Sequence, residues 1–553
     1  MINRIILLLL SISCGFVYAQ ETKKFTPQDT LRGSNGTGRQ KWNVIHYDIT
    51  VKPDLELKNI QGTNIIEYID SGNVHLQIDL QEPMIIDSII QEQSSLTFLR
   101  DNNVYWVDTK NNEPANNKIP SVKKLTIYFH GKPREAVNPP WDGGWIWKKD
   151  KMGNPFVSEA CQGLGASCWY PCKDIQSDEP DNGANLRIIV PDSLTGIGNG
   201  RLTSVSKPTN GYTQYNWEVK SPINNYNIIP YIGKYVHFSE TFQGEKGKLD
   251  LNYWVLPYNL DKANIQFKDV SRMLNAFEYW FGPYPFYEDG YQLIEAPHLG
   301  MEHQSAVAYG NNYKMGYLGR DLSQSGWGLK WDFIIVHESG HEWFANNITT
   351  NDIADMWVHE GFTNYSETLF TEYYFGKSAA EDYISGLRKT ILNDKPIIGY
   401  YAVNNEGSGD MYNKGGNMLH TIRQVIDDDL KFRSILRGLN ATYYHSTVNT
   451  FDIENYISQH AGINLSSIFN QYLRTTKIPV LEYYFKKKKI YFRWNNAVDD
   501  LYLPIKININ NTSKELEILP SKDWQVMTIK KSKAINSISV NRNYYVFSKA
   551  ISN

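Results

Sequence analysis

The run Val336-His337-Glu338-Ser339-Gly340-His341-Glu342, followed by Trp357-Val358-His359-Glu360-Gly361-Phe362, decides how this chain is read. His337 and His341 are four apart, so on a helix their imidazoles lie one above the other and can share a single metal ion. Glu338 then flanks that ion. A catalytic zinc takes three protein ligands and keeps one position open, so two histidines need a third ligand from a separate element. Glu360, after eighteen intervening residues, meets that need. It opens the segment Glu360 to Phe370, whose apolar and aromatic spacing suits a second helix packed against the first. Ahead of the histidines, Trp331-Asp332-Phe333-Ile334-Ile335-Val336 is apolar enough to bury one face of the first helix.

With these residues in hand the chain resembles the gluzincin aminopeptidases, the family of aminopeptidase N and leukotriene hydrolase. Their signature is HExxH, eighteen residues, then Glu in a Trp-x-x-Glu-Gly-Phe context, which Trp357 to Phe362 matches. The resemblance runs from about Tyr47 to Leu473. Leu299-Gly300-Met301-Glu302-His303 is similar to the family's G-x-M-E-N strand, whose Glu holds the substrate's free amino group. Tyr412-Asn413-Lys414-Gly415 is similar to the segment whose tyrosine supports the tetrahedral intermediate. Tyr170-Pro171-Cys172-Lys173-Asp174 is similar to the Pro-Cys-x-Asp element, and a gap-free count back from Pro171 puts Gln162 where the family often has a second amine-binding side chain. Leu299 and His303 depart from the family's Gly and Asn, which alters the floor beneath the substrate but keeps the Glu302 carboxylate.

The resemblance implies an α+β multidomain fold: an N-terminal antiparallel β domain, a thermolysin-like, mainly helical catalytic domain and a small C-terminal β-sandwich. Residue texture gives the same divisions. From 20 to 256, short alternating segments such as Tyr47 to Val51, Leu125 to Phe129 and Leu186 to Pro191 are broken by Asn, Gly and Pro, as in antiparallel sheets. From 257 to 476 the period lengthens: Asp261 to Phe281 predicts a helix stopped at Gly282-Pro283, Tyr291 to Glu295 and Met301 to Tyr309 predict strands, and the two ligand helices follow. From 477 to 553 strands return, with Lys486 to Lys489 reading as a solvated hairpin turn. The Trp-rich stretch Pro140 to Trp147 reads as a packed loop near the cleft. The large helical domain that the family often carries next is missing from the sequence, which predicts a more open cleft.

Composition narrows the setting. The chain has 553 residues, 41% of them hydrophobic, enough for several domains and a large core. A net charge of -3 from 56 basic and 59 acidic residues gives no global field to recruit nucleic acid. Residues 1–19 read as a signal peptide: Arg4 precedes the apolar run Ile5 to Ile12, and Val17-Tyr18-Ala19 ahead of Gln20 is a small-residue cleavage pattern. The expectation is a secreted or periplasmic protein with no transmembrane segment in the mature chain, since the apolar run is shorter than the roughly 20 residues that span a bilayer. A lipid anchor at Cys14 is the alternative, although Ser11-Ile12-Ser13 lacks the usual order before it. Removing the leader leaves Cys161, Cys168 and Cys172, an odd count that allows at most one disulfide. No matching His or second Cys pair accompanies them, so simple burial or a single bridge is expected rather than a metal cluster.

The chemistry these residues imply is hydrolysis of the N-terminal peptide bond. One zinc ion on His337, His341 and Glu360 polarises the scissile carbonyl and supplies hydroxide near neutral pH. Glu338 serves as general base. Tyr412, which only the resemblance separates from the other 36 of 37 tyrosines, donates to the developing oxyanion. Glu302 with Gln162 pairs with the terminal ammonium, and Gly300, Met301 and the strand that follows, Ala306 to Tyr309, offer backbone for the peptide. His303 is expected to be a structural hydrogen-bonding partner. Glu367, seven residues beyond Glu360 on nearly the same helical face, is a candidate to orient a ligand from behind. Two other readings use the same core: a zinc endopeptidase or oligopeptidase, suggested by the altered residues around Glu302, and a catalytically weak peptide-binding protein, against which the retained base argues.

Overall fold

Strict alternation of buried and more exposed residues builds the first part of the chain as sheets, as in Trp42–Asp54, where Val44, Tyr47, Ile49 and Val51 point inward. The computed structural model describes residues 24–72, 75–109, 122–510, 515–528 and 537–552; the expected leader, residues 1–19, lies outside them. Trp42–Asp54 pairs antiparallel with Asn59–Asp70 on one side and parallel with Ala184–Pro191 on the other. The sheet is therefore mixed at this seam instead of antiparallel throughout, because the chain makes a second sheet before it returns. That second sheet holds Gly144–Lys149, Pro155–Ala160, Thr195–Ile197 and Tyr231–Gly233, and it shares one apolar core with the first. Trp145 is fully buried, stacks 4.8 Å from Trp147 and meets the edge of Trp169, but on a strand, and Trp141 is exposed, so the stretch expected as one packed loop is packed only in its second half. Cys161, Cys168 and Cys172 are all buried and unbridged.

The hairpin Val236–Gly244 and Gly247–Val255, which the change of texture at Pro257 assigns to the first part, joins the sheet of the next one. Its second strand runs parallel to Tyr291–Glu295, with Leu251 opposite Tyr291. Strand order from there is Tyr291–Glu295, Val307–Tyr309, then Gly300–Met301 at the edge. The stretch expected as one strand from Met301 to Tyr309 is thus two short antiparallel strands around a turn. Ser305 takes a positive φ of 53° in that turn, and its N–H donates to Glu342 Oε1 at 2.8 Å. A carboxylate on the neighbouring helical segment folds the strand back, a constraint invisible to local periodicity. The free backbone edge is consequently Gly300–Met301, and Val307–Tyr309, expected to offer that edge, is interior.

Helices cover this sheet. The single helix expected over 261–281 is two, Leu260–Gln266 and Lys268–Phe281, and Gly282 at φ 95° ends the second, a left-handed position that suits glycine. Phe333–Gly340 carries His337, with His341 as its C-cap, and is started by Asp332, whose carboxylate accepts from Ile334 N–H and Ile335 N–H. Trp357–Phe375 carries Glu360 and is buried continuously from Trp357 to Thr371. Asn413–Ile426 crosses it where two glycines meet: a Cβ on Gly415 would sit 3.1 Å from Gly361 Cα, and one on Gly361 3.4 Å from Gly415 Cα. That contact lies next to Glu360 and three residues from Tyr412, so it sets how closely those two side chains approach.

After residue 477 two small sheets form the final part. Lys486 and Lys489 close a tight hairpin between Val480–Lys486 and Lys489–Asn495, with Lys487 in the left-handed region, as the lysine run predicted. Leu481, Ile490, Ile505 and Ile507 extend the core of the helical part without a break, and Tyr472 OH donates to Tyr545 O at 2.6 Å across the junction. No helix among the described residues is long and apolar enough to cross a membrane.

Replacing Gly415 by valine is expected to force the two helices apart. The predicted cost is about 1–3 kcal/mol in chemical denaturation, together with a fall in peptidase rate as Tyr412 moves off Glu360. A Gly415→Val chain as stable and as active as the parent contradicts the close contact.

Candidate metal centre and peptide site

Two imidazoles and one carboxylate converge between the two ligand helices. Glu360 Oε2 lies 3.3 Å from His341 Nε2 and 3.8 Å from His337 Nε2, and it is buried with no hydrogen-bond partner. A buried carboxylate oxygen facing two ring nitrogens and bonded to nothing is the donor set that a tetrahedral zinc takes, with one side left open. The far nitrogens are occupied. His337 Nδ1 meets Glu367 Oε1 at 2.7 Å, and Glu367 in turn accepts from Tyr383 OH at 2.6 Å. His341 Nδ1 meets Phe344 O at 3.1 Å and Thr363 Oγ1 at 3.1 Å. With Nδ1 donating to these acceptors, each Nε2 would present its lone pair to an ion bound between them.

The Phe344 carbonyl reaches His341 because the backbone kinks directly after the helix. Ala345 sits at φ 145°, ψ −49°, a region that costs a residue with a Cβ of order 1–3 kcal/mol. This strain turns one peptide group back onto the ligand.

The electrostatics favour a cation. Burial works against charge on either ring, but Glu360 and Glu367 around His337, and Glu360 and Glu302 around His341, outweigh it and hold both above the ordinary histidine range. Glu338 is pushed up to about 7, chiefly by burial and further by Glu302 and Glu360, against the pull of His337 and His341. Its carboxylate lies against the sheet edge: a Cβ on Gly300 would come within 2.5 Å of Glu338 Oε1 and 3.0 Å of Ile334. Only glycine lets the Gly300–Met301 backbone lie so near the helix.

Glu302 follows on that edge and is held from the N-terminal part of the chain. Gln162 Nε2 donates to Glu302 Oε1 at 2.6 Å and Tyr226 OH donates to the same oxygen at 2.9 Å; neither bond uses Oε2. Burial raises the Glu302 carboxyl, with His341 opposing and Glu360 adding to the shift. Met301 is buried beside it. Tyr412 lays its ring 6.0 Å from that of His337, and its hydroxyl faces Glu360, which adds to burial in holding it protonated. His303 is fully buried with Nδ1 at 2.6 Å from Tyr231 OH, a structural contact. Leu299 is partly buried against the core, and its carbonyl accepts from Gly310 N–H.

The structure thus brings together His337, His341, Glu360, Glu338, Gly300, Met301, Glu302, Gln162, Tyr412 and Glu367. Sequence reasoning missed Tyr226, Asn346 and Glu342. Asn346 Nδ2 donates to Glu302 O at 2.9 Å and its Oδ1 accepts from Asn227 Nδ2, so it fixes the strand that presents Glu302. Tyr226 sits in a short turn, Asn225–Asn227, with no pattern around it. Glu342, directly after the second histidine, was within sight, but its partner Ser305 N–H belongs to a turn that the sequence reads as strand.

Fold and site together define a thermolysin-like metallopeptidase centre of the gluzincin class, with its third ligand on a second helix. Residues 265–472 match the family model described as "Peptidase family M1 domain". Among relatives, Probable aminopeptidase 1 of Sulfurisphaera tokodaii is 21% identical over 446 residues, 76% of this chain and 54% of its own length. Endoplasmic reticulum aminopeptidase 1 of Homo sapiens is 21% identical over 441 residues, 73% of this chain and 44% of its own. The chain thus spans about half the length of these relatives. The M1 zinc metallopeptidase from Deinococcus radiodurans shares the fold, with a TM-score of 0.66 at 18% identity over 80% of this chain and 95% of that one. The catalytic part of the chain thus matches the peptidase family M1 domain, and the relatives and solved structures it resembles are aminopeptidases and M1 zinc metallopeptidases.

Glu367→Ala removes the acceptor behind His337. The expected result is a loss of about 10–100-fold in zinc affinity or activity, read by competition with a chelator. Wild-type affinity and rate in this variant mean that Glu367 does not orient the ligand.

Proposed function

We propose that this protein is a zinc aminopeptidase that removes the first residue from peptides with a free N-terminus. The observation that carries the reading is the bond from Gln162 to Glu302, 140 residues apart in sequence, which holds a buried carboxyl group beside the metal centre. A carboxylate held there by two neutral donors suits a terminal ammonium, and a peptide anchored by its amine puts its first peptide bond at the ion.

His337, His341 and Glu360 hold the zinc. When bound, it supplies Lewis acidity to the scissile carbonyl and to water. Glu338, poised near neutrality by burial, takes the proton of the attacking water and passes it to the leaving amine. Tyr412 donates its hydroxyl proton to the carbonyl oxygen as charge develops there, a contribution of about 3–4 kcal/mol for a donor so aimed. The free edge at Gly300–Met301 pairs with the backbone of the substrate. The leader over residues 1–19 supports action outside the cytoplasm; recovery from the native host of a chain beginning at Gln20 agrees with this, and one that retains Met1 overturns it.

Matched aminoacyl amides, one free and one N-acetylated, test the proposal. The free substrate alone is expected to turn over, a chelator to abolish the rate and zinc to restore it; equal turnover of both substrates removes the exopeptidase assignment. Glu338→Gln is expected to lower kcat by about 10²–10⁴-fold while zinc stays bound. Unchanged kcat in that variant removes Glu338 from the role of base.

A further inference from the structure

The three cysteines do not share one fate in the fold. Glu159 and Cys161, two apart along an extended segment, face the same side, and the short helical turn Ala166–Cys168 folds Cys168 over them. One ligand atom from each of Glu159, Cys161 and Cys168 lies within 4.8 Å of the others, and all three residues are buried to within 1% of full enclosure. Cys168 Sγ stands 3.8 Å from Glu159 Oε1, and Cys161 Sγ stands 3.7 Å from Tyr226 O. Cys172 is not part of the group.

The second oxygen of Glu159 identifies what the cluster lacks. Glu159 Oε2 is buried with no hydrogen-bond partner. Cys168 Sγ–H approaches Oε1, but Oε2 has no partner whether the carboxyl is ionised or protonated. Either form leaves a polar atom unsatisfied at a cost of roughly 1–3 kcal/mol or more. A cation drawn to both carboxylate and thiols removes the difficulty in one step. Ligand atoms around one zinc lie about 3.5–3.8 Å apart, given its bond lengths of about 2.0–2.3 Å; the contact of Cys168 Sγ with Glu159 Oε1 is of that size, and the other pairs lie within 4.8 Å. Two thiolates select a borderline or soft ion over magnesium or calcium. Burial raises the Glu159 carboxyl to about 8 and raises both thiols, so an ion binding here has to displace their protons.

We propose that Glu159, Cys161 and Cys168 form a second, thiolate-rich zinc site, separate from the centre on His337, His341 and Glu360, with the Tyr226 carbonyl, 3.7 Å from Cys161 Sγ, as a further donor. It is a structural site with a consequence for the peptide pocket. Cys161 directly precedes Gln162, and Tyr226 offers its carbonyl to Cys161 while its hydroxyl holds Glu302, so an ion there fixes both donors to the amine-binding carboxylate.

The test is metal stoichiometry in the full chain. Wild-type protein is expected to carry two zinc ions by elemental mass spectrometry, and a His337→Ala/His341→Ala variant to keep one. Cadmium added to that variant should give an ultraviolet thiolate-to-cadmium charge-transfer band, which a centre built from imidazoles and a carboxylate cannot produce. Adding Cys161→Ser and Cys168→Ser should abolish the band; if that chain fails to fold, Glu159→Gln in the same background, checked by circular dichroism, should weaken cadmium binding at least tenfold. One zinc in the wild type, none in the histidine variant and no band overturns the proposal. Failure of the catalytic assignment looks different, because zinc and the band then persist whatever becomes of the peptidase rate.

Discussion

The structure depends on bonds to the far nitrogens of two histidines. A metal ligand is useful only if its lone pair points to one place, and an imidazole on a helix is free to turn about two torsions. Glu367 behind His337 and the Phe344 carbonyl behind His341 remove that freedom and choose the tautomer. Each support draws on its own surroundings: Tyr383 braces Glu367, and the strained backbone at Ala345 aims the carbonyl. Much of the helical part can be understood as scaffolding for these two contacts.

Charge is the second constraint. Glu302, Glu360 and Glu367 are buried and Glu338 is partly buried beside them, an arrangement that is costly unless positive charge is present. The fold distributes the burden. Glu360 and Glu367 face the imidazoles, Glu302 is stabilised by Gln162 and Tyr226 from the N-terminal part, and Glu338 is left near neutrality, where an acid–base group is most useful. The N-terminal sheets are thus part of the site and not only a platform beside it.

Close approach is the third. Gly300 lets the sheet edge touch Glu338, and the Gly361–Gly415 contact lets the helix behind Tyr412 reach Glu360. Both replace side-chain volume by backbone proximity at places where a methyl group would separate the catalytic parts.

The helical spacing of His337 and His341, the remote Glu360 and the segments around Glu302 and Tyr412 were legible in the sequence because local periodicity and motif fix which residues share a helical face. So was the alternation that makes the outer sheets and the lysine hairpin. Tyr226, Asn346, Glu342 and the turn at Ser305 were not, since each acts through a partner that lies far away in the chain or in an element that local pattern misreads. The hairpin 236–255 likewise takes its place from pairing with Tyr291–Glu295, not from its own composition. What the sequence by itself determined is the candidate metal-binding groups and the class of fold, because those follow from residue type at short spacing. Only the tertiary structure decided which carboxylates are held from behind, which strand is the free edge and which cysteines meet Glu159, because contacts between distant segments depend on how whole sheets and helices pack.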